Sequence, residues 1–200
     1  MRTSLWKSTL EEFLGELAGT APAPAGVSVA AATAAFALSL VVKTLEITAQ
    51  KAARPGELIG RADELSAQLK ALADRDAAAF DEYLRCVRLP KDTEGRAEAI
   101  AEALRATIEV PLEAARCASA GLRVCVEGAG SVNKFVAPDL GAAAELMAGA
   151  VRAILVSVDS NLKSLRNEDR LLEVSMRERN EIESSTSTHL DEARKRIASL

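Results

Sequence analysis

An all-α fold, a bundle of about six helices with long central ones, is what this sequence predicts, and three observations predict it. Apolar residues make up 48% of the chain and aromatics only 3%, so the core must be built from Ala, Leu and Val, small side chains that suit closely packed helices. No stretch shows the two-residue alternation of a half-buried strand. Clusters of Gly and Pro cut the chain into segments of helical length. Two hundred residues suit one domain, 1–200, large enough to bury a core.

The first twenty residues set Glu11, Glu12 and Glu16 among Trp6, Leu10, Phe13 and Leu17, which reads as an amphipathic helix and not as a secretory leader. A break rich in Pro and Ala runs from Gly19 to Gly26. The run from Val27 to Val42 then carries no charge and only Ser28, Thr33 and Ser39 as polar residues. It is shorter than the ~20 residues a bilayer span needs, and Lys43 and Glu46 follow at once, so a buried helix and no membrane contact are expected. A helix this apolar needs more cover than its own chain provides, which points to homo-oligomerisation.

After Arg54-Pro55-Gly56 an apolar stripe steps through Leu58, Ala62, Leu65, Leu69, Leu72, Asp76, Ala79, Tyr83 and Cys86, in strides of four and three. That is one face of one long helix. Asp76 breaks it. Taking a carboxylate out of water costs several kcal/mol or raises its pKa, so such residues persist mainly when paired, hydrogen-bonded or used. Two readings stand side by side: a chemical role for Asp76, or a stripe that rotates here and leaves it at a solvent boundary.

A break at Leu89-Pro90-Lys91-Asp92-Thr93 precedes a helix from Thr93 to Val126, which Pro111 should kink by removing a main-chain donor. The stretch from Glu127 to Pro138 is the next break. Asp139 then reads as the N-cap of a helix that repeats Leu140, Ala144, Met147, Val151, Ile154, Val158, Asn161 and Leu165. Asn161 is its one polar stripe residue, fit either to set packing register or to meet a ligand between helices. The last stretch, 167–200, is charged, with Ser184 to Thr188 expected to interrupt its helix and His189 expected at the surface.

Net charge is −4 and no block of Lys or Arg occurs, so the footprint of a nucleic-acid binder is missing. Cys86, Cys117 and Cys125 form no C-x-x-C pair and His189 stands alone, which argues against a metal site. An odd, sparse cysteine set fits a reducing compartment, the cytoplasm.

The motifs, taken in order, resemble those of a family. Phe13-Leu14-Gly15-Glu16-Leu17-Ala18 followed by Pro22-Ala23-Pro24-Ala25-Gly26-Val27-Ser28 is similar to F-L-x-x-L-A-x-x-x-P-x-P-G-G-G-S. Asp76-Ala77-Ala78-Ala79-Phe80 matches D-A-x-A-F, Leu89-Pro90-Lys91-Asp92-Thr93 is close to L-P-K-N-T, and Val110-Pro111-Leu112 matches V-P-L. Asn133, Asp139 and Asn161-Leu162 fall on G-N, S-D and N-V-x-x-N-L. The pattern is that of the cyclodeaminase domain of formiminotransferase-cyclodeaminase and of the stand-alone methenyltetrahydrofolate cyclohydrolases, over about Leu10 to Leu165.

The resemblance implies an all-helical homodimer without a permanently bound cofactor, acting on a tetrahydrofolate derivative. In the cyclodeaminase reaction N10 of 5-formiminotetrahydrofolate attacks the amidine carbon and ammonia leaves; the cyclohydrolase adds water to the methenyl ring. The resemblance places the catalytic acid and base at Asp76, with Lys51 and Asp139 in support. It places substrate binding at Pro24, Gly26, Ser28, Glu46, Thr48, Asn133 and Asn161.

Several positions depart from the pattern. The glycine triplet reads Ala25-Gly26-Val27, and Val27 brings branched bulk where glycine allows close backbone approach. Glu46 replaces a neutral residue, the basic cluster is reduced to Lys51 and Arg54, Pro138 replaces a serine, and Ser157 replaces the first Asn of the last motif. A cyclase or ammonia-releasing enzyme on a non-folate amine, and a non-catalytic helical dimer, therefore stand as alternatives.

Overall fold

The structure is a computed structural model that describes residues 4–49, 56–165 and 170–200. After a 3-10 turn at Leu5–Lys7 come α1 (Leu10–Leu17), α2 (Gly26–Ala49), α3 (Gly56–Val87), α4 (Arg96–Gly128), α5 (Ala137–Leu162) and α6 (Arg170–Ala198). The expected all-α bundle is what forms, and no strand occurs among the described residues. Helices α2 to α5 make a four-helix bundle in which α2 packs on α3 and α5, and α4 packs on the same two; α6 lies along α4 and α5.

Small side chains let the helices approach. Ala31, Ala34, Ala35 and Ala37 of α2 and Ala114, Ala115 and Ala118 of α4 are buried, and Leu38, Leu69, Ile108, Leu122, Met147 and Ile154 fill the space between them. At Gly121 a Cβ would lie 2.9 Å from Met147 Cε and 3.2 Å from Leu38 Cδ2, so α4 has no room there for a side chain.

The N-terminal amphipathic segment divides at Ser8. Its first part is tied to α3, with the Leu5 N–H donating to Asp74 Oδ1 at 3.0 Å and Trp6 Nε1 to the Lys70 carbonyl at 2.9 Å. Thr9 and Glu12 then close a capping box over α1, whose Leu10 and Leu14 remain exposed.

Two expectations need correction. Asp139 is not an N-cap: Val136 holds that position, and Asp139 sits inside the first turn of α5, because Pro138 is favoured at the start of a helix and moves the cap upstream. Ser184 to Thr188 do not interrupt α6. Thr186 Oγ1 donates to the Ile182 carbonyl at 2.7 Å and Thr188 Oγ1 to the Ser184 carbonyl at 3.0 Å, so the hydroxyls are satisfied by the helix itself. The apolar run is a mostly buried helix as expected, although α2 and α5 each contain an 18-residue window that by length and composition alone could cross a bilayer. Of those windows 56% and 50% are buried inside the bundle.

Candidate active site

Asp76 occupies the half-buried edge of α3 because the buried stripe shifts register there. Ala73 and Ala77 take the fully buried positions and leave Asp76 one step around the helix. The stripe does rotate as one reading of the sequence expected, and the boundary where Asp76 lies is the wall of a cleft. That cleft, of about 180 Å³, is lined by Ala23, Ala25, Gly26 and Val27 from the turn into α2, and by Asp76 and Phe80 of α3. Thr107 of α4 and Ser157, Ser160 and Asn161 of α5 complete it.

Apolar surroundings set the proton affinity. Burial pushes the Asp76 carboxyl up from 3.8 to about 6, because desolvation disfavours the ionised form. The group can therefore hold or release a proton close to neutrality.

Asn161 is held in one orientation. Its Nδ2 donates to the main-chain carbonyl of Thr107 at 2.7 Å. A carbonyl only accepts, so the amide nitrogen must be the atom on that side. Thr107 spends its own hydroxyl on the Leu104 carbonyl at 2.8 Å. Ser157 stands beside the turn, its Oγ 3.8 Å from where a Cβ on Gly26 would be.

The expected site residues fall into two groups. Asp76, Gly26 and Asn161 line the cleft. Pro24 is buried in the turn beside it without lining it, and Ser28, one step further into α2, is buried with no hydrogen-bond partner for its Oγ. Glu46, Thr48, Asn133 and Asp139 lie at the other end of the bundle. Gly26 and Thr48 share α2 and are separated by 22 residues, about 33 Å at the helical rise of ~1.5 Å per residue. There Thr48 accepts from the Asn133 N–H, Asn133 Oδ1 accepts from the Phe135 N–H at 3.0 Å, and Glu46 is exposed. Lys51 lies outside the described residues, as does Arg54.

Thr107, Phe80, Ser157 and Ser160 are cleft residues that sequence reasoning did not assign to binding. Pro111 offers the missing signal for Thr107, because a proline in a helix leaves free the carbonyl four residues before it. No group of three or more His, Cys, Asp or Glu side chains able to hold a metal occurs among the described residues.

Comparison with known proteins gives a consistent picture. The Formiminotransferase-cyclodeaminase family profile matches residues 9–180. The formimidoyltransferase-cyclodeaminase of Sus scrofa is 33% identical over 175 residues, covering 82% of this chain and 32% of that protein. The chain thus spans about a third of the length of the mammalian relatives it matches. A methenyltetrahydrofolate cyclohydrolase of Methylorubrum extorquens is 29% identical over 180 residues, covering 83% of this chain and 86% of that protein. The crystal structure of formiminotetrahydrofolate cyclodeaminase from Thermotoga maritima superimposes with a TM-score of 0.88 at 23% identity, over 97% of this chain and 98% of that one, which shows the shared fold.

Proposed function

Since this chain belongs to the formiminotransferase-cyclodeaminase family, we propose that it is a folate one-carbon enzyme of the cyclodeaminase or cyclohydrolase type, with Asp76 as its acid and base. The observation that carries the reading is a carboxyl poised at about 6 in the wall of a cleft between helices. As carboxylate it takes the proton from N10 while N10 bonds to the amidine carbon. As carboxylic acid it protonates the amino group, which leaves as ammonia when the carbon–nitrogen bond breaks. In the cyclohydrolase direction the same carboxylate takes a proton from the water that adds to the methenyl carbon. One group near its pKa serves both steps.

The working unit is proposed to be a homodimer. Val29 and Phe36 on α2 and Leu146 and Val156 on α5 are exposed apolar residues on two neighbouring helices, which association with a second copy would take out of water. No nucleic acid is a partner on this reading. Cys86, Cys117 and Cys125 are free and buried, in keeping with the cytoplasm.

Val27 favours a second reading. It lines the cleft where the family pattern has glycine, and its bulk would suit a smaller, non-folate amine. Calorimetric titration with 5-formyl- and 5,10-methenyltetrahydrofolate, followed by an absorbance assay of ring opening, separates the two. Binding and turnover that vanish in Asp76→Asn support the folate enzyme; absence of binding to both compounds overturns it in favour of the amine.

A further inference from the structure

Pro111 lies inside α4, and the helix runs unbroken through it. In a regular turn the N–H of residue 111 would bond the carbonyl of residue 107; proline has no N–H to give. Thr107 is buried, and a buried carbonyl left unpaired is costly. The donor that fills the gap comes from another helix: Asn161 Nδ2 of α5, at 2.7 Å. Both Thr107 and Asn161 line the Asp76 cleft.

We infer that Pro111 is a positioning residue for this site: by withholding a main-chain donor from Thr107, it fixes the Asn161 carboxamide so that Oδ1 remains as the acceptor offered to a ligand beside Asp76. The ligand atom that meets Oδ1 must then carry a proton, as an amidine N–H, an amine N–H or a water O–H does. Given the proposed function on which this inference rests, that atom is the departing nitrogen of the formimino group or the attacking water. Asn161 would align the bond that Asp76 protonates or deprotonates. A V-P-L motif that reads as a helix irregularity thereby acquires a role in aiming a side chain on a different helix.

Pro111→Ala is the decisive variant, because it separates positioning from support. The new N–H satisfies the Thr107 carbonyl, so a purely structural role is retained while Asn161 loses its fixed partner. The expected result is an unchanged or raised Tm, and a kcat/KM lowered about tenfold to a hundredfold, the scale of small misplacements at a reacting centre. The loss is expected mainly in kcat, with a shift of the Asn161 side-chain amide resonances. In an Asn161→Ala background the same change should have no further effect on turnover. Equal loss in both backgrounds, or unchanged turnover with unchanged amide resonances, overturns the inference.

Should Pro111→Ala fail to fold, the wild-type protein still decides. A scalar coupling across the hydrogen bond from Asn161 Nδ2 to the Thr107 carbonyl carbon supports the inference, and its absence overturns it. That measurement needs no substrate, so failure of the folate reading and failure of this one are told apart.

Discussion

Thr48 Oγ1 accepts the main-chain N–H of Asn133 at 3.0 Å while donating to the Thr44 carbonyl at 2.8 Å. One buried hydroxyl thus joins the last turns of α2 to the loop between α4 and α5. Thr48→Val keeps the branched shape and removes both bonds, leaving the Asn133 N–H without its partner. The expected loss of stability is about 1–2 kcal/mol, or a fall in Tm of roughly 2–4 °C per kcal/mol for a chain of this size. Urea unfolding measures it. Unchanged stability with reduced turnover would instead assign Thr48 to ligand binding.

Asp76 should make stability depend on pH in an uncommon direction. Its folded pKa, about 6, lies above the ordinary 3.8, so the fold binds the proton more tightly than the unfolded chain does. The fold is therefore favoured below about pH 4, loses stability as pH rises through 6, and stays level above. The loss amounts to roughly 1–3 kcal/mol, allowing for partial solvent access. Asp76→Asn cannot ionise at this position and should flatten this dependence, being more stable than wild type at pH 8 and similar at pH 4 while losing turnover. Unfolding curves at the two pH values test it; an Asn variant markedly less stable at pH 8 would make Asp76 a structural residue.

Gly121→Ala should destabilise the bundle centre. The added methyl would meet the flexible end of Met147, which can turn aside, and Leu38, which is fully buried. Overpacking of this kind costs roughly 1–3 kcal/mol, offset by up to about 1 kcal/mol of helix propensity. A net loss of about 1 kcal/mol in chemical denaturation is expected, and a net gain would show that α4 can move away from α2.

Charge on the exposed face of α5 should break the proposed dimer. Leu146→Glu with Val156→Glu places two carboxylates on a surface that a second copy would cover, at a loss of several kcal/mol for unpaired buried charge. Sedimentation velocity should show a dimer for wild type and a monomer for the double variant, with unchanged helicity. A wild-type monomer at every concentration would remove the dimer from the proposal.

The helices and the prominence of Asp76 were legible in the sequence because they rest on local periodicity. Asp76 interrupts a stride of four and three, and no tertiary fact is needed to notice it. The end of the bundle at which each polar residue lies was not legible. Motif order places Thr48 and Asn133 in the same list as Gly26 and Asn161; the length of α2 parts Gly26 from Thr48, and the antiparallel packing of α2 and α5 sets Asn161 beside the first and Asn133 beside the second. Ser184 to Thr188 misled for a related reason. Their weak helix propensity is local, whereas the burial of Ile182, Thr186, Leu190 and Ala193 along one face of α6 is what holds the helix. The sequence contained a clue to Thr107 in Pro111, four residues on, but its partner on α5 could be identified only from the fold.

The length of α2 between Gly26 and Thr48 also bears on how such proteins diverge. Residues that line the cleft gather at one end of the rod and residues that knot the frame gather at the other, so a change beside the cleft need not loosen the far end. Val27 can replace a glycine beside the cleft while Thr48 and Asn133 continue to hold the far end. A lineage can in this way change its chemistry in single steps, each of which leaves a folded protein behind.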